Sequence, residues 1–283
     1  IFMDCFHLPV VDEYGRSHGI FVALAQTLMS GRPVTTLLLR GNFPSLIGLV
    51  ATFVAFLIII YMEGVRVELP LSYAGYRGFR SRYPIKLLYV SNLPVIFASA
   101  LFANIYFFSY ILWSQPWGKD NPWVQLLGWY KLEGDQYVPG GGLVYYVTSP
   151  HNLSNVMAEP LRAFGYLTIL IIFCIIFSLT WLEVGGLGPS TVAKQLVDAG
   201  MQIPGYRRSG KAVEQILKRY IPAVTILGGI IVGLIAGLSD FFGVFGSGIG
   251  ILLSIGIIYQ YYEILVRERV AEMYPAFRKI FGG

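Results

Sequence analysis

The sequence is 283 residues long, with 55% of them hydrophobic and only 13% charged, against about 25% charged in soluble domains. A water-soluble fold of this size has nowhere to hide so much apolar surface, so composition excludes an ordinary soluble domain and points to a chain solvated by lipid. The formal net charge of +5 fits nucleic acid, anionic lipid or asymmetric loops, and the placement of the charges decides between them.

In chain order, the sequence opens inside an apolar stretch, Ile1-Phe2-Met3, with no basic region ahead of it. That reads as the cut end of something longer, not as a signal peptide. Ile20 to Met29 predicts a surface helix, stopped by Gly31 and Pro33. A spanning helix needs about 20 mostly apolar residues. Ser45 to Met62, Leu87 to Trp113, Ala163 to Leu182, Ile221 to Leu238 and Ser247 to Val266 qualify. The first four contain no Asp, Glu, Lys or Arg, and the fifth contains only Glu263, read as an interfacial carboxylate. A charge at the bilayer centre costs about 2.5–3.5 kcal/mol, so these absences carry information. Pro94 predicts a kink in the second span. Pro222 is placed at the first turn of the fourth, where a missing N–H costs little.

The segment from Ser114 to Pro160 is long and rich in Trp, Gly and Pro. Trp113, Trp117, Trp123 and Trp129 suit a membrane interface. Val138 to Thr148 predicts a short hairpin around Gly140-Gly141-Gly142. Gly229, Gly233 and Gly237 recur every fourth residue, the spacing that lets helix backbones approach in lipid. Gly246, Gly248 and Gly250 resemble half of a nucleotide fingerprint, but no strand precedes them and a hydrophobic helix follows, so they are not read as a phosphate site.

The links between spans fix an orientation. Fifteen of the 21 basic residues fall on one side, in residues 66–86, 194–219 and 267–279. The other side holds Arg16, Arg32, Arg40, Lys119, Lys131 and Arg162. The positive-inside rule places the richer side, and the C-terminus, in the cytoplasm.

Reactive chemistry is sparse. His7, His18 and His151 are scattered and none pairs at metal-ligand spacing. Cys5 and Cys174 read as buried thiols, with no disulfide framework. No paired carboxylates and no Ser/His pair lie at membrane depth, and no ionisable group marks a coupled-transport site near the midplane. The expectation is a non-enzyme, with no catalytic residue, metal or cofactor: a pore, a scaffold or part of a larger assembly.

Several stretches carry a resemblance: Arg66-Val67-Glu68-Leu69-Pro70, Tyr76-Arg77-Gly78, Tyr83-Pro84-Ile85-Lys86, Ser91-Asn92-Leu93-Pro94, Lys218-Arg219-Tyr220-Ile221-Pro222, residues 246–253 and Ile258-Tyr259-Gln260-Tyr261-Tyr262-Glu263. In order and topology the chain resembles the C-terminal half of the SecY family, the large subunit of the protein-conducting channel, in its archaeal and eukaryotic branch. The resemblance implies an all-α integral membrane protein in which the five spans are helices six to ten of ten. Residues 1–44 would be the end of helix five and an external hinge, residues 45–266 the transmembrane half with a long external loop, and residues 267–283 a cytoplasmic tail.

The resemblance also implies roles. Arg77 and Arg207 would dock a ribosome or cytosolic motor, since guanidinium pairs bidentately with phosphate. Arg80, Arg82, Lys86, Arg208 and Lys211 would lend general electrostatic support. Ile96 and Leu253 would contribute to an apolar ring at the pore waist, which resists water and ions by dewetting. Asn104 would belong to a polar cluster at the lateral gate, or else make one ordinary interhelical hydrogen bond. Implied partners are the N-terminal half, a small SecE-type brace, a beta-type subunit, ribosomal RNA or a motor, signal sequences, translocating polypeptide and lipid. The expected location is the archaeal plasma membrane. The competing reading is half of a multispan solute transporter.

Overall fold

The computed structural model describes residues 2–7, 12, 15–38, 40, 43–73, 80–88, 92–133, 136–199, 201–202 and 210–273. A short helix α1 (Phe2–Phe6) packs on α2 (Ile20–Met29), and a 3-10 turn follows at Val34–Leu37. The first span is α3 (Leu46–Gly64), opened by Ser45, whose hydroxyl accepts the Gly48 N–H at 3.0 Å. Strands β1 (Arg66–Tyr73) and β2 (Arg80–Lys86) lead into the second span, α4 (Leu93–Ser114). Beyond it come α5 (Pro122–Leu127), β3 (Trp129–Glu133), β4 (Gln136–Gly141), α6 (Leu143–Val147) and α7 (Leu153–Ala158). The third span α8 (Pro160–Val184) is followed by α9 (Pro189–Asp198) and the two-residue strand β5 (Met201–Gln202). The last two spans are α10 (Gly210–Phe241) and α11 (Gly248–Met273). Five helices, α3, α4, α8, α10 and α11, are long and apolar enough to cross a membrane.

Helix ends depart from the apolar runs for physical reasons. A helix rises about 1.5 Å per residue, so the 32 residues of α10 cover about 48 Å, well beyond a hydrocarbon core of about 30 Å. Its first turns, carrying Lys211, Lys218 and Arg219, therefore leave the bilayer on the side of the basic loops. Pro222 sits inside the helix, not at its first turn. The second span starts at Leu93, not Leu87, so Pro94 lies in the first turn. Its missing N–H is harmless there and it makes no kink.

Glycines in the fourth span allow a close crossing with α8. A Cβ on Gly229 would lie 2.7 Å from Ser178 Oγ, and one on Gly233 would lie 3.2 Å from the Ile171 Cα. The spacing-of-four stripe is thus a helix-packing face. The intramembrane core gathers Val95, Ala98, Phe102, Leu170, Cys174 and Leu252, all buried. Cys174 is a buried thiol and Cys5 is half-buried, both free.

On the basic face the first loop forms a hairpin, with β1 and β2 paired antiparallel from Arg66↔Lys86 to Ser72↔Arg80. Strand β5 adds to its other edge through Ser72↔Gln202 and Tyr73↔Met201. A second, smaller core lies under this sheet, where Ile85 meets Leu182, Val192, Leu196 and Leu217. It is supplied by the amphipathic α9 and the extramembrane start of α10.

On the opposite face the hairpin is β3–β4, from Trp129↔Gly141 to Glu133↔Gln136. It is shifted toward the N-terminus from the expected 138–148. Gly140 and Gly141 end a strand because they lie flat on the Trp129 ring, which leaves no room for a Cβ. The hairpin is pinned to the end of α4 by Tyr130, whose ring packs on Tyr106, Tyr110 and Trp113. Its hydroxyl donates to the Tyr106 carbonyl at 3.2 Å. Trp113 is therefore part of an aromatic cluster, whereas Trp117 and Trp123 are exposed.

Candidate functional site

The start of α4 meets the second turn of α11. Asn92 immediately precedes α4, and its Nδ2 donates to the Leu252 carbonyl at 2.8 Å. Ile96 lies one turn further along α4, and its N–H reaches the Asn92 carbonyl at 3.4 Å. Leu253 is next to the accepting residue on α11. Both Ile96 and Leu253 are half-buried, and one hydrogen bond sets the level at which their helices meet. The two residues nominated for the waist thus lie within one turn of the two ends of this hydrogen bond. Asn104 is exposed on α4 and turns its amide back to its own helix, donating to the Ala100 carbonyl at 2.8 Å. Among the described residues it makes no hydrogen bond to another helix.

The basic face has a clamp that was not foreseen. Glu263 on α11 accepts from Arg66 at 2.8 Å through one oxygen and from Lys86 at 2.9 Å through the other. The Lys86 ammonium also lies 5.6 Å from the centre of the Tyr259 ring. The base of the hairpin closes with the Leu87 N–H on the Val65 carbonyl at 2.9 Å. Glu263 is thus a bridging acceptor, and Lys86 is committed to it. Of the other docking residues, Lys211 is exposed at the start of α10. Arg80 and Arg82 hold strand positions opposite Ser72 and Pro70. Arg77, Arg207 and Arg208 lie outside the described residues. Their loops leave from Tyr73 and Gln202, which β1–β5 pairing holds side by side.

Two buried carboxylates escaped the sequence reading because the helices outrun their apolar runs. Glu63 is buried in the last turn of α3. Asp240 is buried at the end of α10, where it accepts the Gly248 N–H at 2.8 Å and the Tyr166 hydroxyl at 3.1 Å. It satisfies an orphan donor at the N-terminus of α11 and ties three spans together.

On the face away from the basic loops, Asp12 accepts from Arg16 and from Arg40, each at 2.9 Å. Arg40 also donates to the Ser17 carbonyl at 2.9 Å, and Arg16 to the Thr36 hydroxyl at 2.8 Å. The three histidines are less scattered than their spacing implies. The His7 and His18 rings are 5.7 Å apart, and His18 lies 3.9 Å from Asp4. His18, Asp4 and His151 line one polar groove of about 440 Å³. Among the described residues, no three His, Cys, Asp or Glu side chains form a group able to hold a metal. At the rim, a hydrogen bond from Tyr145 and the nearby Arg162 hold the Glu159 carboxyl below the usual carboxylate range.

Five apolar spans, a basic face built on a small sheet and an opposite face of packed loops define a polytopic helical membrane protein. The sequence profile of the SecY family matches residues 14–262. The Pyrococcus horikoshii protein translocase subunit SecY is 43% identical over 263 residues, which is 91% of this chain and 53% of that protein. The Methanocaldococcus jannaschii protein translocase subunit SecY is 38% identical over 289 residues, 96% of this chain and 63% of that protein. A solved structure of a protein conducting channel superimposes with a TM-score of 0.71 at 37% identity, covering 91% of this chain and 55% of that one. The chain belongs to the SecY family, and it spans between half and two thirds of the length of these relatives.

Proposed function

We propose that this chain forms the C-terminal half of a protein-conducting channel, through which unfolded polypeptide crosses the membrane and from which signal sequences pass into lipid. What supports this most is the match to a solved protein conducting channel over 91% of this chain, at a TM-score of 0.71. The channel reading gives the nominated residues the following roles. Ile96 and Leu253 would supply an apolar waist, which passes an extended chain but resists ions by dewetting. Asn104 is exposed on α4, where a polar side chain would face the N-terminal half along a lateral gate. The loops bearing Arg77 and Arg207 start side by side, and guanidinium groups there would pair with a phosphate-rich surface, either ribosomal RNA or a motor carrying its own anionic patch. Arg80, Arg82, Arg208 and Lys211 add diffuse attraction.

The basic face is then cytoplasmic, with the C-terminus on that side, in an archaeal plasma membrane. Residues 1–44 join the two halves on the outside. A SecE-type brace and a beta-type subunit complete the assembly, and no bond is made or broken. The test is reconstitution. Liposomes holding this chain with the N-terminal half and the brace subunit should translocate a signal-bearing substrate, and the chain alone should not. A reconstituted assembly that moves a small solute but no polypeptide would replace this reading with a transporter half.

A further inference from the structure

An asparagine immediately before a helix normally turns its side-chain oxygen onto that helix's own N–H groups. Asn92 holds that position before α4 and makes no such bond. Its nitrogen goes instead to the Leu252 carbonyl of α11 at 2.8 Å. Its oxygen is buried without a hydrogen-bond partner, and the residue is only 6% exposed. The orientation of the amide is dictated by chemistry, because a rotated amide would set its oxygen against the Leu252 oxygen, acceptor against acceptor. The α11 side is shaped to receive it. A Cβ on Gly256 would lie 2.7 Å from Asn92 Nδ2 and 3.9 Å from Glu63 Oε1, so any larger residue there would push the amide out.

We infer that Asn92 is a latch between α4 and α11, a positioning residue with two alternative uses of one side chain. In the closed state the nitrogen holds α11 and the oxygen is orphaned. In the released state the side chain swings back and the oxygen caps α4, the ordinary use of Asn at this position. A buried acceptor without a donor is costly, so the closed state carries a built-in bias toward release that the cross-helix bond offsets. Ile96 lies one turn beyond Asn92 and Leu253 directly follows Leu252, so breaking the bond frees the stretches that carry them to move apart. What that movement gates rests on the channel reading, whereas the latch itself rests on the contact geometry alone.

The test uses spin labels at Ala100→Cys and Ile257→Cys, both exposed positions, in a Cys5→Ser background, with the chain in lipid nanodiscs. Wild type should show a dominant short distance. Asn92→Ser, too short to reach Leu252 but a good cap, should raise the longer-distance population several-fold. Asn92→Ala, which loses bond and cap together, should raise it less. Gly256→Ala should act like Asn92→Ser with the asparagine intact, which keeps the test decisive if one variant fails to fold. Unchanged distances in Asn92→Ser and Gly256→Ala, or equal widening in Asn92→Ala and Asn92→Ser, would overturn the latch. A second arm measures ion conductance of the assembled channel. A widened distance with no added conductance keeps the latch and counts against the channel reading.

Discussion

The two faces of the molecule use the same chemistry at different depths, and the difference separates holding from yielding. On one face Arg40 has a fully buried side chain (0% exposed), and Asp12 lies between it and Arg16. On the basic face Glu263 is 20% exposed, Arg66 40% and Lys86 36%. Removing one partner from a buried pair strands a charge in low dielectric and costs about 3–5 kcal/mol. A pair open to water contributes about 0–1 kcal/mol and weakens with salt. The Asp12 knot therefore locks Arg16, Ser17 and Arg40 together, whereas the Glu263 clamp sets the posture of the hairpin without stabilising the fold much.

The largest expected effect that would break this comparison is at Asp12. Asp12→Asn should destabilise the chain by about 3–5 kcal/mol, because two guanidinium groups lose their shared carboxylate. Thermal unfolding in detergent checks it, and a loss no greater than that of a surface substitution would place the knot with the clamp. Glu263→Gln should cost at most about 1 kcal/mol in the same assay. Its mark should instead be faster amide exchange along β1 and β2, with Asn92 and α4 unaffected. The smallest effect is at Glu159. Folding lowers its carboxyl pKa, so its stabilisation is present at neutral pH and disappears as pH falls through its folded pKa. The difference between wild type and Glu159→Gln should be under about 1 kcal/mol at neutral pH, and acid should abolish it. A difference that persists in acid would assign the effect to packing.

The spans were legible because long runs without charge have one physical outcome, and the stripe of Gly229, Gly233 and Gly237 was legible because close crossings need small residues. Their ends were not, since helical hydrogen bonding runs on past the last apolar residue: α3 continues through Glu63 to Gly64 and α10 through Asp240 to Phe241. That is why Asp240 and Glu63 were read as outside the spans. The first basic hairpin left a trace in the alternation Arg66-Val67-Glu68-Leu69, which marks a strand of period two. Nothing local pairs β5 with β1, about 130 residues away. Ile96 and Leu253 were nominated through resemblance alone, as no periodicity distinguishes them from packing residues. Glu263 reaches partners 177 and 197 positions distant, and Asp12 reaches Arg40 across 28. Such pairs become visible only when the chain is folded.

The central claim, one locked face and one adjustable face, is tested most directly by hydrogen exchange of the same sample at low and high salt. Near 1 M salt the screening length shrinks to about 3 Å, which weakens exposed pairs and spares buried ones. The amides of Arg16 and Ser17, bound to Asp12 and Gln26 at 2.9 Å each, should keep their protection unchanged. The amides of Arg66–Tyr73 and Arg80–Lys86 should exchange faster as salt rises. Equal loss on both faces, or loss at Arg16 and Ser17 alone, would contradict the account.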